Sequence, residues 1–317
     1  MRVVDVPDTA RLRAASQAVR RHLVPTPVTR APLLGRHVSL KLETFQPTGS
    51  FKVRGGLAAV TAAHDRQAGR RLVAASAGNH ALGIAFAADR IGAEATVVVS
   101  ENASAAKVSA LEHFDVELVR HGSGYDEAEA LALRLAEEKG GRFVSPYNDA
   151  DVIAGQASCA EELLDEIPGL RTIVVPVGGG GLVSGICLAT EGTGIRIVGV
   201  EPAQAPAMTA VLAAGHGSPI TVGATIADGL AGNIEDGSVT IDICRRRGIE
   251  MLAVTEDQIR AAICFLAVEH GVVAEGAGAV AVAALHSGLF AADSRPTAVI
   301  VTGRNIEPSL LGSILAE

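Results

Sequence analysis

The chain has 317 residues and a formal net charge of −8, which argues against an extended nucleic-acid surface, because such a surface must neutralise phosphates. Hydrophobic residues make up 48% and aromatics only 3%, a composition suited to packing Ala, Val, Ile and Leu of helices against sheets, and the length exceeds the ~100 to 200 residues of one ordinary domain. The N-terminus lacks an apolar leader core, and Pro176 and four glycines interrupt the uncharged run from Thr172 to Thr190, so neither secretion nor a membrane span is expected.

Asp8-Thr-Ala-Arg-Leu-Arg-Ala opens a capped amphipathic helix over residues 8–22, stopped by Pro25-Thr-Pro27. A short strand over 38–42 and a loop holding Lys52 come next. From Arg71 the chain alternates: strand 72–75, helix 79–91, strand 95–99, helix 103–113, strand 116–119, helix 124–139 and a strand near Phe143. A second series runs strand 172–175, glycine loop, helix from Leu182, strand 195–200, strand 251–254, helices 256–270 and 276–286, and strand 298–301. Arg245-Arg246-Arg247 reads as a solvated helix end. Strands alternating with helices predict parallel sheets with right-handed crossovers, an α/β protein of two doubly wound units. The expected large domain comprises 1–70 and 149–317, and the small one 71–148. Cys159, Cys187, Cys244 and Cys264 show no paired metal-ligand spacing and predict reduced core thiols in a cytoplasmic protein.

Four residues are lysines: Lys41, Lys52, Lys107 and Lys139. A guanidinium stays protonated, whereas a desolvated amine can form a Schiff base with an aldehyde, so Lys52 is a candidate for chemistry. The other three are expected to be incidental. Gly178-Gly179-Gly180-Gly181, between a strand and a helix, lets consecutive N–H groups converge beside a helix N-terminus and forms a phosphate cradle. It lacks the Gly-Lys-Ser/Thr and G-x-G-x-x-G patterns of nucleotide loops. Ser76-Ala77-Gly78-Asn79-His80 repeats the strand-turn-helix geometry and suits a carboxylate, and Thr302 offers a hydroxyl at the end of the last strand. Together these ask for an aldehyde cofactor bearing a phosphate, which pyridoxal 5′-phosphate satisfies.

The order and spacing of Gly49-Ser-Phe-Lys52-Val-Arg-Gly55, Ser76-Ala-Gly-Asn-His80, the tetraglycine loop and Thr225-Ile-Ala-Asp-Gly229 resemble the fold-type II pyridoxal-phosphate enzymes over nearly the whole chain. The nearest resemblance is to the serine/threonine dehydratase and serine racemase group. It implies a tryptophan synthase β-like fold in a homodimer, with Lys52 as the imine-forming catalytic base and Phe51 flanking the cofactor ring. It further implies Asn79 at the 3′-hydroxyl, Gly178 to Gly181 on the phosphate and Thr302 at the pyridine nitrogen. Ser76, Ala77, Gly78, Asn79 and His80 would surround the substrate carboxylate. A neutral hydroxyl at the ring nitrogen, rather than an Asp, favours β-elimination over transamination. The implied activity is dehydration and deamination of L-threonine or L-serine to a 2-oxo acid and ammonia.

Departures from the family pattern refine this. Serine racemases carry a serine where this chain has Ala77, and a methyl group delivers no proton to the second face of the substrate. Relatives that bind a divalent cation use a glutamate, a carbonyl and an aspartate; Glu201 and the Ala205 carbonyl match, but Ala207 replaces the aspartate, so a bound Mg or Ca is expected to be weakened or lost. Arg304 stands where many relatives have glycine, either pairing with a second carboxylate or pointing into solvent. Lys52-Val53-Arg54 differs from the Lys-Asp-Arg of cysteine synthases. The chain ends after the last family element, which implies no appended regulatory domain. Alternatives that stay open are 3-hydroxyaspartate, phenylserine or a hydroxyectoine-breakdown intermediate as substrate, an amino-acid racemase, and a sensor that keeps the fold without the chemistry.

Overall fold

The computed structural model describes residues 4–66, 71–215 and 217–317, so the expected domain boundary at residue 70 lies outside the described residues. Helix α1 (Thr9–His22) starts where the Asp8 carboxylate accepts from the Arg11 N–H at 2.8 Å, and leads to an antiparallel pair, β1 (Val28–Arg30) and β2 (Val38–Leu42). Helix α2 (Lys52–Arg66) carries the chain to a four-stranded sheet. That sheet is built from β3 (Leu72–Ala75), α3 (Asn79–Ile91), β4 (Ala95–Val99), α4 (Ala105–Leu111), β5 (Glu117–Arg120), α5 (Tyr125–Glu138) and β6 (Arg142–Phe143). All its strands are parallel, in the order β5-β4-β3-β6.

Helix α6 (Ala150–Glu166) returns the chain to the first sheet through β7 (Thr172–Pro176), α7 (Gly181–Ala189), β8 (Arg196–Pro202), α8 (Ala207–Ala214) and α9 (Val239–Arg247). Then follow β9 (Glu250–Val254), α10 (Glu256–His270), α11 (Gly276–His286), β10 (Thr297–Val301) and α12 (Pro308–Leu315). The six strands run β1-β2-β10-β7-β8-β9, parallel except for β1 at the edge. Strands β2, β7 and β10 are buried along their whole length, as parallel strands covered on both faces must be. Helix α11 is mostly alanine, glycine and valine, with ten of its eleven residues buried; small side chains let it lie close against the sheet. The three arginines at the end of α9 precede Gly248 in the left-handed region, where their charge suits the helix C-terminus.

The alternating strands and helices follow the sequence reading closely, and α2 and α6 do not. Lys52 lies not in a loop but at the first position of α2. Gly55 and Gly56 disfavour a helix by about 1 kcal/mol each, which is why its pattern is weak in the sequence. Packing reverses that preference. A Cβ on Gly56 would lie 2.4 Å from the Gly83 carbonyl oxygen in α3, and one on Gly155 in α6 would lie 2.5 Å from the Arg54 carbonyl oxygen. Helix α2 is thus wedged between a helix of each sheet at backbone contact distance.

The Arg54 side chain fixes the wedge electrostatically. Fully buried, its guanidinium donates to both Glu43 oxygens at 2.8 Å, to Glu162 at 2.6 and 2.7 Å, and to Ser158 Oγ at 3.1 Å. Lys41, expected to be incidental, is fully buried too: Nζ lies 2.8 Å from Glu162 and 3.2 Å from Glu166, and donates to the Thr26 carbonyl at 2.7 Å. Its burial beside the shared Glu162 explains why a lysine stands there. Lys107 lies 3.0 Å from Asp228, and Lys139, exposed, lies 3.7 Å from Glu117.

Burial opposes a charge on Glu43, yet the Arg54 guanidinium and the Thr26 hydroxyl hold its carboxyl down to about 2 from an ordinary 4.5. A depressed carboxyl contributes stability that is present above its unfolded value and lost as pH falls through the folded one. Urea midpoints are therefore expected to fall between pH 4.5 and about 2, with a shallower fall in Glu43→Gln. At neutral pH Glu43→Ala, which leaves Arg54 under-paired, is expected to cost about 3 to 5 kcal/mol. Loss under 1 kcal/mol in the unfolding curve would contradict the assignment (roughly the surface-pair value).

Candidate active site

The carboxyl ends of β10, β7 and β3 converge on the start of α2, the crevice where open α/β sheets bind ligands. The Phe51 N–H donates to the Thr302 carbonyl at 3.0 Å and Ser50 bridges to Gly303, so the residue before Lys52 is tied to the end of β10. Lys52 Nζ donates to the Pro146 carbonyl at 3.0 Å and lies 5.2 Å from the Phe51 ring centroid. Burial pulls the amine down to about 8, against the opposing charge of Glu275. A surface lysine stays charged at neutral pH; this one is partly neutral and nucleophilic.

The tetraglycine loop links β7 to α7. Gly180 has φ +90°, in the region that favours glycine. A Cβ on Gly179 would lie 2.3 Å from Tyr147 Cδ1, and one on Gly181 would lie 3.0 Å from the Tyr147 Cα. Thr240 Oγ1 donates to the Gly179 carbonyl at 2.8 Å and fixes that peptide. The outcome is an open backbone cradle at a helix N-terminus, suited to a phosphate. Across the crevice, β3 passes into α3 through Ser76 to His80. The Gly78 N–H donates to Ser76 Oγ at 3.0 Å, and Ala77 contributes only a methyl group.

Two expected ligand-facing side chains are engaged within the protein. The buried His80 ring bonds the Val144 carbonyl at 2.9 Å, and burial together with the Lys52 charge lowers it to about 3, so it is neutral. Asn79 Nδ2 donates to Glu275 Oε1 at 2.7 Å, and its Oδ1 accepts from Asn305 Nδ2 at 2.6 Å. Neither Glu275 nor Asn305 was singled out in the sequence, because a Glu before Gly276-Ala-Gly278 reads as an ordinary helix start. Thr302 Oγ1 donates to the Ala277 carbonyl at 3.3 Å. Arg304 donates through Nη1 to the Gln46 carbonyl at 3.4 Å and is otherwise exposed.

The residues expected to hold a cation lie around the start of α8. The buried Glu201 carboxylate accepts from the N–H groups of Met208 and Thr209 and from Thr209 Oγ1, at 2.5, 3.0 and 2.7 Å, at the start of α8. The Ala205 carbonyl accepts from the Ala207 N–H at 2.9 Å. The four cysteines are free, and three of them are buried. No helix among the described residues is long and apolar enough to cross a membrane.

The family model described as "Pyridoxal-phosphate dependent enzyme" matches residues 19–303. An L-threonine ammonia-lyase of Thermotoga maritima is 36% identical over 305 residues, covering 96% of this chain and 76% of that one. A catabolic L-threonine dehydratase of Escherichia coli K12 is 34% identical, covering 87% and 85%. Among solved structures, maize serine racemase superposes with a TM-score of 0.89 at 30% identity, covering 98% of each chain.

Since the Lys52 amine is lowered to about 8, the neutral form gains as pH rises toward that value and levels off above it. Capture of pyridoxal phosphate by cofactor-free protein, followed by stopped-flow absorbance, is expected to accelerate with the same midpoint. A midpoint in the ordinary lysine range of about 10.4 would show that burial does not neutralise this amine.

Proposed function

The chain belongs to the pyridoxal-phosphate dependent enzymes, and from that premise we propose that it is an ammonia-lyase that dehydrates and deaminates L-threonine or L-serine. The carrying observation is a desolvated Lys52 whose Nζ meets the Pro146 carbonyl beside Tyr147, which packs on the glycine cradle, and whose neighbour Phe51 is tied to Thr302. The residues fit the cofactor: side chains on the cradle would collide with Tyr147, and the amine has a carbonyl, not a carboxylate, within hydrogen-bond distance. When bound, pyridoxal phosphate supplies an electron sink for the electrons of a broken Cα–H bond.

Each residue then has a task. The N–H groups of Gly178 to Gly181 would hold the phosphate and Phe51 would pack beside the ring. Thr302 Oγ1 would be the neutral partner of the pyridine nitrogen and Asn79 that of the ring hydroxyl. The turn from Ser76 to His80 receives the substrate carboxylate through its N–H groups and the Ser76 hydroxyl. His80 itself moves no proton, since its ring is neutral and held by Val144. Lys52 Nζ would anchor the cofactor and, once the substrate amine has displaced it, would take the Cα proton on its own face as a free amine. Ala77 offers nothing on the opposite face, so the L configuration is not inverted. The electron pair of the broken Cα–H bond would form the Cα=Cβ bond as the protonated β-hydroxyl leaves as water, and a further water would hydrolyse the enamine, by way of its imine, to the 2-oxo acid and ammonia. We further read the unit from 71 to 148 as mobile relative to 1–70 with 149–317, and the protein as a cytoplasmic homodimer.

The L-threonine ammonia-lyase and dehydratase activities of the relatives support this substrate class. A panel of L- and D-hydroxy amino acids, read by 2-oxo acid release, tests it, with L-threonine or L-serine expected to react and the D forms not. Lys52→Ala is expected to lose about 10³-fold or more in turnover. Ala77→Ser restores a hydroxyl, and in heavy water it is expected to show Cα inversion absent from the parent. Rapid inversion by the parent with little keto acid would overturn the lyase reading.

A further inference from the structure

Asn79, Glu275 and Asn305 form a closed ring of hydrogen bonds. The Glu275 carboxylate accepts from Asn79 Nδ2 at 2.7 Å and from the Asn305 backbone N–H. Asn79 Oδ1 accepts from Asn305 Nδ2 at 2.6 Å, and that nitrogen's other hydrogen goes to the Thr48 carbonyl at 2.9 Å. The three residues come from separate elements. Asn79 opens α3 beside the four-stranded sheet, Glu275 precedes α11, and Asn305 follows β10. Glu275 is nine-tenths buried or more, and its backbone N–H donates to the Gly303 carbonyl at 3.0 Å. Its Oε1 lies so close over Gly303 that a Cβ there would approach to 2.5 Å, which requires glycine beside Thr302.

We propose that Glu275 is a positioning residue that fixes which end of the Asn79 amide faces the bound cofactor, by accepting one Asn79 N–H and leaving the other as the donor to the cofactor's ring hydroxyl. This rests on the placement of Asn79 at that hydroxyl. An ionised carboxylate only accepts and the Asn305 amide nitrogen only donates, so the ring has one consistent polarity. A protonated Glu275 acquires an O–H donor. Without its charge it holds the Asn79 N–H less strongly and orders the second Asn79 N–H less well toward the cofactor, while Asn305 Nδ2, tied to the Thr48 carbonyl, still opposes a turn of the amide. Charge on Glu275 therefore controls the donor.

Burial, helped by the Asp228 charge, raises Glu275 to about 7, while Asn79, Asn305 and Lys107 act in the opposite sense. The charged groups that act on it come from three other elements: Asp228 from the turn Asp228–Leu230, Lys107 from α4 and Lys52 from α2. Its ionised fraction rises through neutral pH, and with it the donor held toward the cofactor.

The test measures cofactor release from the holoenzyme into an excess of an aldehyde trap, together with its visible spectrum, from below to above pH 7. Wild type is expected to release the cofactor about fivefold to tenfold faster below the Glu275 midpoint, the worth of roughly one hydrogen bond. Glu275→Gln, which has the same shape but does not titrate, is expected to lose this pH step. Asn305→Ala removes a neutral partner and is expected to release faster at all pH with the step retained, which covers the case in which Glu275→Gln does not fold. An unchanged step in Glu275→Gln, or loss of the step in Asn305→Ala, would overturn the proposal. Asn79→Ala separates the two readings. If it releases the cofactor as slowly as wild type, the placement of Asn79 fails and the proposal with it; if it releases fast while Glu275→Gln keeps the step, only the role of Glu275 fails.

Discussion

The buried guanidinium of Arg54 is the contact on which the site depends. Two residues after Lys52, it joins Glu43 beyond β2 to Glu162 on α6, residues 119 positions apart in the chain and brought together around one charge. A buried charge with this many hydrogen bonds tolerates little displacement, because each lost partner leaves an uncompensated ion. Lys41 supplies a second positive charge to Glu162, so the two carboxylates of the core face two cations. The first turn of α2 is thereby fixed in position and rotation, and Lys52 inherits both. Glycine contacts to α3 and α6 then set the depth of the helix.

The crevice beside this core has the opposite electrostatic character. Arg54 keeps its charge through dedicated carboxylates, whereas Lys52 Nζ finds a peptide carbonyl and is pulled toward neutrality. His80 is held neutral in the same region, and Glu275 lies near its midpoint at neutral pH. Burial is common to all three; what separates them from Arg54 is the absence of a fully compensating partner. Such a site favours neutral amines and proton transfer. Two buried cations within one turn of helix thus differ in whether their surroundings keep the charge.

The strands and their glycine turns were legible because burial on both faces demands unbroken apolar runs, as in 95–99 and 298–301, and because a glycine loop between strand and helix admits few readings. Helix α2 was not, since Gly55 and Gly56 lower local helix preference and their benefit lies in contacts with residues far along the chain. Lys41 was read as incidental for a related reason: its partners Glu162 and Glu166 are over 120 positions away. Lys52 and the tetraglycine loop stand out in the sequence through residue type and through the loop's place between a strand and a helix. Glu275 does not, because its meaning comes from Asn79 and Asn305, each unremarkable in its own segment. Local pattern reports periodicity and turn chemistry; it does not report which distant polar groups complete a ring.

The fold itself does not choose between elimination and racemisation, because both chemistries occupy the same scaffold and begin with the same proton removal. The choice is made by what stands on the face away from Lys52. A proton returned from that face inverts the centre; without a donor there, the only protein group that can return it is the lysine that removed it, which restores the original configuration. Ala77 at the turn between β3 and α3 supplies a methyl group, and His80, three residues on, has its ring turned to Val144. On the proposed placement of Ala77, retention of configuration would follow from one missing hydroxyl, while the architecture that carries it stays the same.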